Sequence, residues 1–193
     1  YDGIWLPSSS GNSVSANTIV NNDYGITLTS SSGNSVSANT ITNSTNAGIW
    51  VQSSSSNSIS TNTITDNDYG IDLNPSSNGN SISRNTITNN NRGIYLNYSS
   101  GNSVSANTIT NNYDGMYLSS SSNSNSISAN TITNNNRGIY LLYCSNNLIC
   151  HNNFVGNRIM QAKTEPSTLG VWDDGYPSGG NYWSDYTGID LYK

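Results

Sequence analysis

Apolar residues alternate with Ser and Thr over short spans, as in Ser103-Val104-Ser105 and Thr108-Ile109-Thr110, the period-two pattern of a half-buried strand. The same spans return at long range. Gly stands at 3, 25, 48, 70, 93, 115 and 138, in steps of 22 or 23 residues, and each opens a Gly-[Ile/Met]-x-[Leu/Val] tetrapeptide. A second landmark, Asn-x-[Val/Ile], places Val14, Val36, Ile59, Ile82, Val104, Ile127 and Ile149. Five residues after each comes Ile19, Ile41, Ile64, Ile87, Ile109, Ile132 or Phe154.

Three short strands per copy at this period predict an all-β fold, a right-handed parallel β-helix of about seven coils, each stacked about 4.8 Å from the next. The repeats occupy residues 1–155 and a C-terminal capping segment residues 156–193. Trp172, Tyr176, Tyr182, Trp183, Tyr186 and Tyr192 are expected to fold over the last coil. Each buried aliphatic ladder residue stabilises by roughly 1.5–3 kcal/mol, ample for a rod without disulfides. Extra residues fall between Ile41 and Gly48, Leu73 and Ile82, and Leu118 and Ile127, which marks surface corners. Asn12, Asn34, Asn57, Asn80, Asn102, Asn125 and Asn147 form one column. Asn17, Asn39, Asn62, Asn85, Asn107, Asn130 and Asn152 form a second, suited to amide hydrogen bonds between coils. The Gly column marks either positive φ or close backbone approach.

Composition alone points elsewhere. Only 33% of residues are hydrophobic and 9% charged, values of a low-complexity chain, but the register of the apolar residues overrides that reading. A net charge of −5 with six dispersed Lys and Arg residues excludes a nucleic-acid footprint. No stretch approaches the roughly 20 apolar residues of a membrane span. The chain opens inside a repeat, at Tyr1-Asp2-Gly3-Ile4, as a processed or trimmed chain would, with no signal peptide in view. Its richness in Ser, Thr and Asn suits an extracellular or cell-surface location, with sequons at Asn43 and Asn97.

The consensus Asn-Ser-[Val/Ile]-Ser-Ala-Asn-Thr-Ile-Thr-Asn-Asn-x-x-Gly-Ile-Tyr-Leu resembles the repeats of the NosD-like periplasmic copper-binding family and the wider carbohydrate-binding and sugar-hydrolase β-helix group. The tail from Trp172 to Tyr186 resembles the C-terminal segment of archaeal members, which runs on further in those relatives. The resemblance implies the fold, and it implies copper as a ligand to be sought. The soft or imidazole candidates are Cys144, Cys150, His151, Met116 and Met160. Cys150 and His151, adjacent in a strand, should face opposite ways unless the corner redirects one. Cys144 and Cys150 are expected to form a local disulfide or remain plain thiols.

Hydrolases and lyases on such folds use clustered carboxylates. Asp66, Asp68 and Asp72 are the nearest approach to a cluster; Arg92 and Arg137 read as solvated. The outward position of the Gly-[Ile/Met]-x-[Leu/Val] strand carries Trp5, Trp50, Tyr95, Tyr117 and Tyr140, a candidate glycan-stacking line, interrupted by Thr27 and Asp72. A flat face pairs Thr40 with Thr42, Thr63 with Thr65, Thr86 with Thr88, Thr108 with Thr110, and Thr131 with Thr133, an arrangement that resembles ice-binding β-helices. Asp173, Asp174, Asp185 and Asp190 are candidate calcium ligands, with solvated turn residues as the plainer alternative. Open β-helix ends pair with other strands unless covered. The reading is therefore a non-catalytic extracellular or surface scaffold whose partners are itself or surface glycans. A carbohydrate-active enzyme, an ice binder and a copper protein are the alternatives.

Overall fold

The structure, a computed structural model, describes residues 1–166, 168–175 and 177–187. It is a right-handed parallel β-helix. Each regular coil contributes a strand of five or six residues to a first sheet, such as Arg92–Asn97, and strands of three to a second and a third, such as Ser103–Ser105 and Thr108–Thr110, with a six-residue strand at Ser145–Cys150. The described pairings are parallel and in register, save for a shift between Ser145 and Asn147 where the tail joins, so Ile94 lies on Met116, Val104 on Ile127 and Ile109 on Ile132. The inward residues of all three sheets meet in one continuous core, fully buried from the second coil onward.

Four residues in most coils, and five in the coil opening at Asp114, adopt the left-handed conformation and make the corners. In the coil opening at Arg92 they are Tyr98, Gly101, Ala106 and Asn111, with φ of 49°, 66°, 55° and 58°. Each is followed by a buried polar residue: Ser99, Asn102, Asn107 and Asn112. A left-handed non-Gly residue costs about 1–2 kcal/mol, and the hydrogen bonds of the residue it turns inward offset that cost. Asn107 Oδ1 accepts both the backbone N–H and the side-chain amide of Asn85, at 2.9 and 3.0 Å. Its Nδ2 donates to Ile82 O at 3.0 Å and to Asn130 Oδ1 at 2.9 Å.

Two further polar columns stand beside the two read from sequence. A third Asn column runs through Asn22, Asn67, Asn90, Asn112, Asn135 and Asn157; Ser44 replaces Asn in the coil with the extra residue after Ile41. A Ser column of Ser31, Ser54, Ser77 and Ser99 hydrogen-bonds the strand of the coil before. Cys144 occupies this column's place, its Sγ 3.9 Å from Leu118 O. The Gly column is explained by close approach: a Cβ on Gly93 would lie 2.5 Å from Gly115 O and 2.8 Å from Ile109 Cγ2, and its φ is not positive.

The tail extends the solenoid. Met160–Thr164, Leu169–Val171 and Tyr182–Trp183 each add a strand to one sheet, giving eight strands in every sheet. Asn181 continues an Asn column by accepting from Asn152 at 3.0 and 2.9 Å. The Trp183 ring stacks on Phe154 at 4.6 Å, and Trp172 also packs against the core. Tyr182 and Tyr186 are exposed, while Tyr176 and Tyr192 lie outside the described residues. Among the described residues no helix is long and apolar enough to cross a membrane.

Candidate functional site

Side chains that do not face the core are held at coil spacing, so any surface chemistry is written as columns. On the first sheet one outward column reads Trp5, Thr27, Trp50, Asp72, Tyr95, Tyr117, Tyr140 and Lys163. Beside it runs the column preceding each Gly, Asp2, Tyr24, Ala47, Tyr69, Arg92, Asp114 and Arg137, continued by Met160 before Gln161.

The two columns interlock. Tyr69 stacks on Tyr95 at 5.5 Å, Tyr95 on Tyr117 at 5.3 Å, Tyr117 on Tyr140 at 5.0 Å, and Tyr24 on Trp50 at 4.8 Å. The Arg92 guanidinium lies 4.3 Å from the Tyr117 centroid and 4.7 Å from that of Tyr95; Arg137 lies 4.5 Å from that of Tyr140. Asp114, almost fully buried, joins the two arginines: Arg137 Nε and Nη2 donate to its carboxylate, the latter at 2.7 Å, and Arg92 Nε stands 3.7 Å away. The expectation of solvated arginines is overturned, since the side chains of Arg92 and Arg137 are only 26% and 20% exposed and lie on rings. Because the rings from Tyr69 to Tyr140 stack on one another, they share their faces, and Tyr95 Oη accepts from Ser119 Oγ at 3.2 Å. Tyr140 Oη donates to Glu165 at 2.8 Å, and burial first, then that bond, pushes its pKa up to about 12. Trp5 is exposed, Tyr117 buried, and Trp50, Tyr95 and Tyr140 lie between.

Asp72 sits in the same strip, between Trp50 and Tyr95 in register. It is 8% exposed, its Oδ1 has no hydrogen-bond partner, and burial raises its pKa to about 7, with Arg92 opposing and Asp68 adding to the shift. Thr27 Oγ1 in the same column is also buried without a partner. Asp66 is elsewhere. It is a left-handed corner residue, bonded by Thr65 Oγ1 at 3.0 Å, and lines a hollow of about 850 Å³ with Tyr1, Asp23 and Thr45. Asp68 accepts from Asn91 Nδ2 at 3.0 Å. Asp66 therefore stands apart in its own hollow, while Asp68 is near enough to Asp72 to raise its pKa.

The Thr pairs form two straight files on the third sheet: Thr40, Thr63, Thr86, Thr108 and Thr131, and Thr42, Thr65, Thr88, Thr110 and Thr133. Val20 and Val155 end the second file.

Cys144 and Cys150 are both buried free thiols, and burial lifts the pKa of each, Cys144 to about 11. Among the described residues, three potential metal donors converge at Cys150, His151 and Asp174. Asp173 instead accepts the Gly175 N–H, Asp185 is exposed, and Asp190 lies outside the described residues. Met116 is in the core, and Met160 stands on the first sheet.

Fold and surface together define a right-handed parallel β-helix protein with regular outward columns. The chain belongs to the NosD family: the profile described as periplasmic copper-binding protein (NosD) matches residues 1–91 and 75–188. No curated protein matches it in sequence. Among solved structures it is similar to the periplasmic alginate epimerase AlgG, with 23% identity, a TM-score of 0.74, and coverage of 91% of this chain and 42% of the epimerase. A double mutant of the same enzyme matches at TM-score 0.75 and 23% identity, over 85% of this chain and 40% of that one. The A-module of the Azotobacter vinelandii mannuronan C-5 epimerase AlgE6 matches at TM-score 0.50 and 13% identity, over 87% and 57%. At such identities the likeness is one of fold, and the chain spans less than two thirds of each enzyme. The copper in the family's description finds one thiol here beside an imidazole and a carboxylate, a donor set that does not fit a Cu(I) centre built on several sulfurs.

Proposed function

We propose that this is a non-catalytic β-helix scaffold, working outside the cytoplasm, which contacts extended glycans along the outer strip of the first sheet. The observation that carries the reading is the interlocked array of Tyr69, Tyr95, Tyr117 and Tyr140 with Arg92, Asp114 and Arg137. The rings hold one another by stacking and Asp114 holds the guanidiniums before any ligand arrives, which reduces the ordering cost of binding. The strip follows the rod, so it suits a chain of sugars better than a single one. Trp5, 60% exposed, provides a stacking surface at one end. Periplasmic location in the family's description agrees with a site of action where polysaccharides are found. Affinity electrophoresis against neutral and acidic polysaccharides tests it: retardation is expected for the native chain and reduced retardation for Arg92→Gln. Unretarded migration in every polysaccharide would refute it.

One observation favours a second reading, an enzyme acting on carbohydrate. Asp72, with a pKa near 7 and a free Oδ1 beside Tyr95, has the protonation behaviour of an acid-base group. That reading requires time-dependent change in the polysaccharide, seen as new reducing ends, unsaturated products or altered sugar configuration, and its loss in Asp72→Asn.

A further inference from the structure

We infer that Cys150, His151 and Asp174 form a binding site for one borderline divalent cation of the zinc class, which fastens the C-terminal segment to the last regular coil. The sequence changes character at this point. The outward column of the second sheet reads Ser15, Ser37, Ser60, Ser83, Ser105 and Ser128 before it reaches Cys150. The corner residues that follow are Ala16, Ala38, Thr61, Arg84, Ala106 and Ala129, and then His151. Ser and mostly small residues thus give way to two strong metal ligands in the coil that the tail covers.

The corner also brings the two ligands together. In an extended strand Cys150 and His151 would face opposite sides, but His151 has φ of 58°, and this left-handed turn swings its ring toward the Cys150 side. The third donor comes from the tail. Asp174 Oδ2 is 3.0 Å from His151 Nε2, and one donor atom from each of the three residues falls within 4.8 Å of the others. Ser178 Oγ stands 3.1 Å from Nε2 and 2.9 Å from Oδ2, beside the position a fourth ligand would take. The His151 N–H donates to Gly180 O at 2.9 Å, so the tail is already in register with the corner.

The donor set narrows the ion to the borderline divalent class. One sulfur, one nitrogen and one oxygen, with room for a hydroxyl or water, match four-coordinate zinc at ligand distances of about 2.0–2.3 Å. His151 Nε2 and Asp174 Oδ2, at 3.0 Å, already stand about as close as two such ligands do, and the cluster's 4.8 Å limit must close by about 1 Å. Calcium needs six or more oxygens, and Cu(I) favours several sulfurs. On binding, the Cys150 thiol proton passes to solvent and the thiolate bonds the ion.

The test uses the full chain after chelator treatment, with Zn²⁺ alone as titrant and Co²⁺ as a spectroscopic substitute. One Zn²⁺ per chain and a thiolate-to-Co²⁺ absorption band are expected. Cys150→Ser should abolish the band, and His151→Ala and Asp174→Asn should each weaken Zn²⁺ binding more than about tenfold. Ser is the residue every earlier coil carries at this position, so Cys150→Ser is expected to fold, which circular dichroism checks. Absence of saturable Zn²⁺ binding, binding unchanged by Cys150→Ser, or retention of Cu(I) without Zn²⁺ would overturn the assignment. None of these outcomes bears on glycan contact, which uses a different sheet.

Discussion

Glycines of two kinds separate at the level of single residues. Gly93 has no room for a Cβ, which would meet Gly115 O at 2.5 Å, whereas Gly101 has φ of +66° and open space around it. Gly93→Ala is expected to destabilise by about 2–4 kcal/mol through displaced backbone. Gly101→Ala should cost only about 1 kcal/mol, the left-handed penalty. Urea unfolding of the two variants checks the order, and equal losses would contradict it. Asn107→Ala removes the acceptor for two Asn85 donors and the donor to Ile82 O and Asn130 Oδ1. A loss of roughly 3–5 kcal/mol is expected from several orphaned buried groups. Two Asn columns were legible in the sequence because each Asn has a fixed distance to an aliphatic residue. The third was hidden, since Asn89 and Asn90, or Asn111 and Asn112, stand side by side and only the left-handed corner decides which turns inward.

Asp72 gives a pH-dependent prediction. Its folded pKa of about 7 lies above its ordinary value of 3.8, so the folded state holds more protons between those values. Stability then falls as pH rises from about 4 through 7, with the full cost present above about 7. Asp72→Asn should therefore gain roughly 2–4 kcal/mol more at pH 8 than at pH 4 relative to the native chain. Denaturant unfolding at both pH values checks this, and a pH-independent difference would contradict it.

Strands and corners were read from the period because every coil repeats the same inward letters, and burial enforces them. The outward strip was read only in part. Its Tyr95, Tyr117 and Tyr140 column was visible, but the column before each Gly changes identity at every coil, from Tyr69 to Arg92, Asp114 and Arg137, and so leaves no repeating signal. Stacking of the rings on one another, and of the guanidiniums over them, follows from the coil spacing once both columns share a face. At this scale the strip should act as a unit. Asp114→Asn removes the charge between Arg92 and Arg137, loosening both guanidiniums, and is expected to cost about 3–5 kcal/mol. Hydrogen exchange should quicken on the Arg92–Asn97 and Arg137–Leu142 strands in that variant, while the Thr108–Thr110 strand keeps its protection.

Across the whole molecule the repeats make a rod in which each coil stacks on its neighbours, so surface columns become lines of side chains at coil spacing. The strip, the Thr files and the donor cluster at Cys150 occupy different sheets and can be tested separately. The central claim is that a glycan lies along the first sheet. Hydroxyl-radical footprinting with a bound polysaccharide tests it most directly. Protection of Tyr95, Tyr140 and Trp5, with the Thr40 to Thr131 file unchanged, is the predicted result; protection confined to the Thr files or the tail would contradict it.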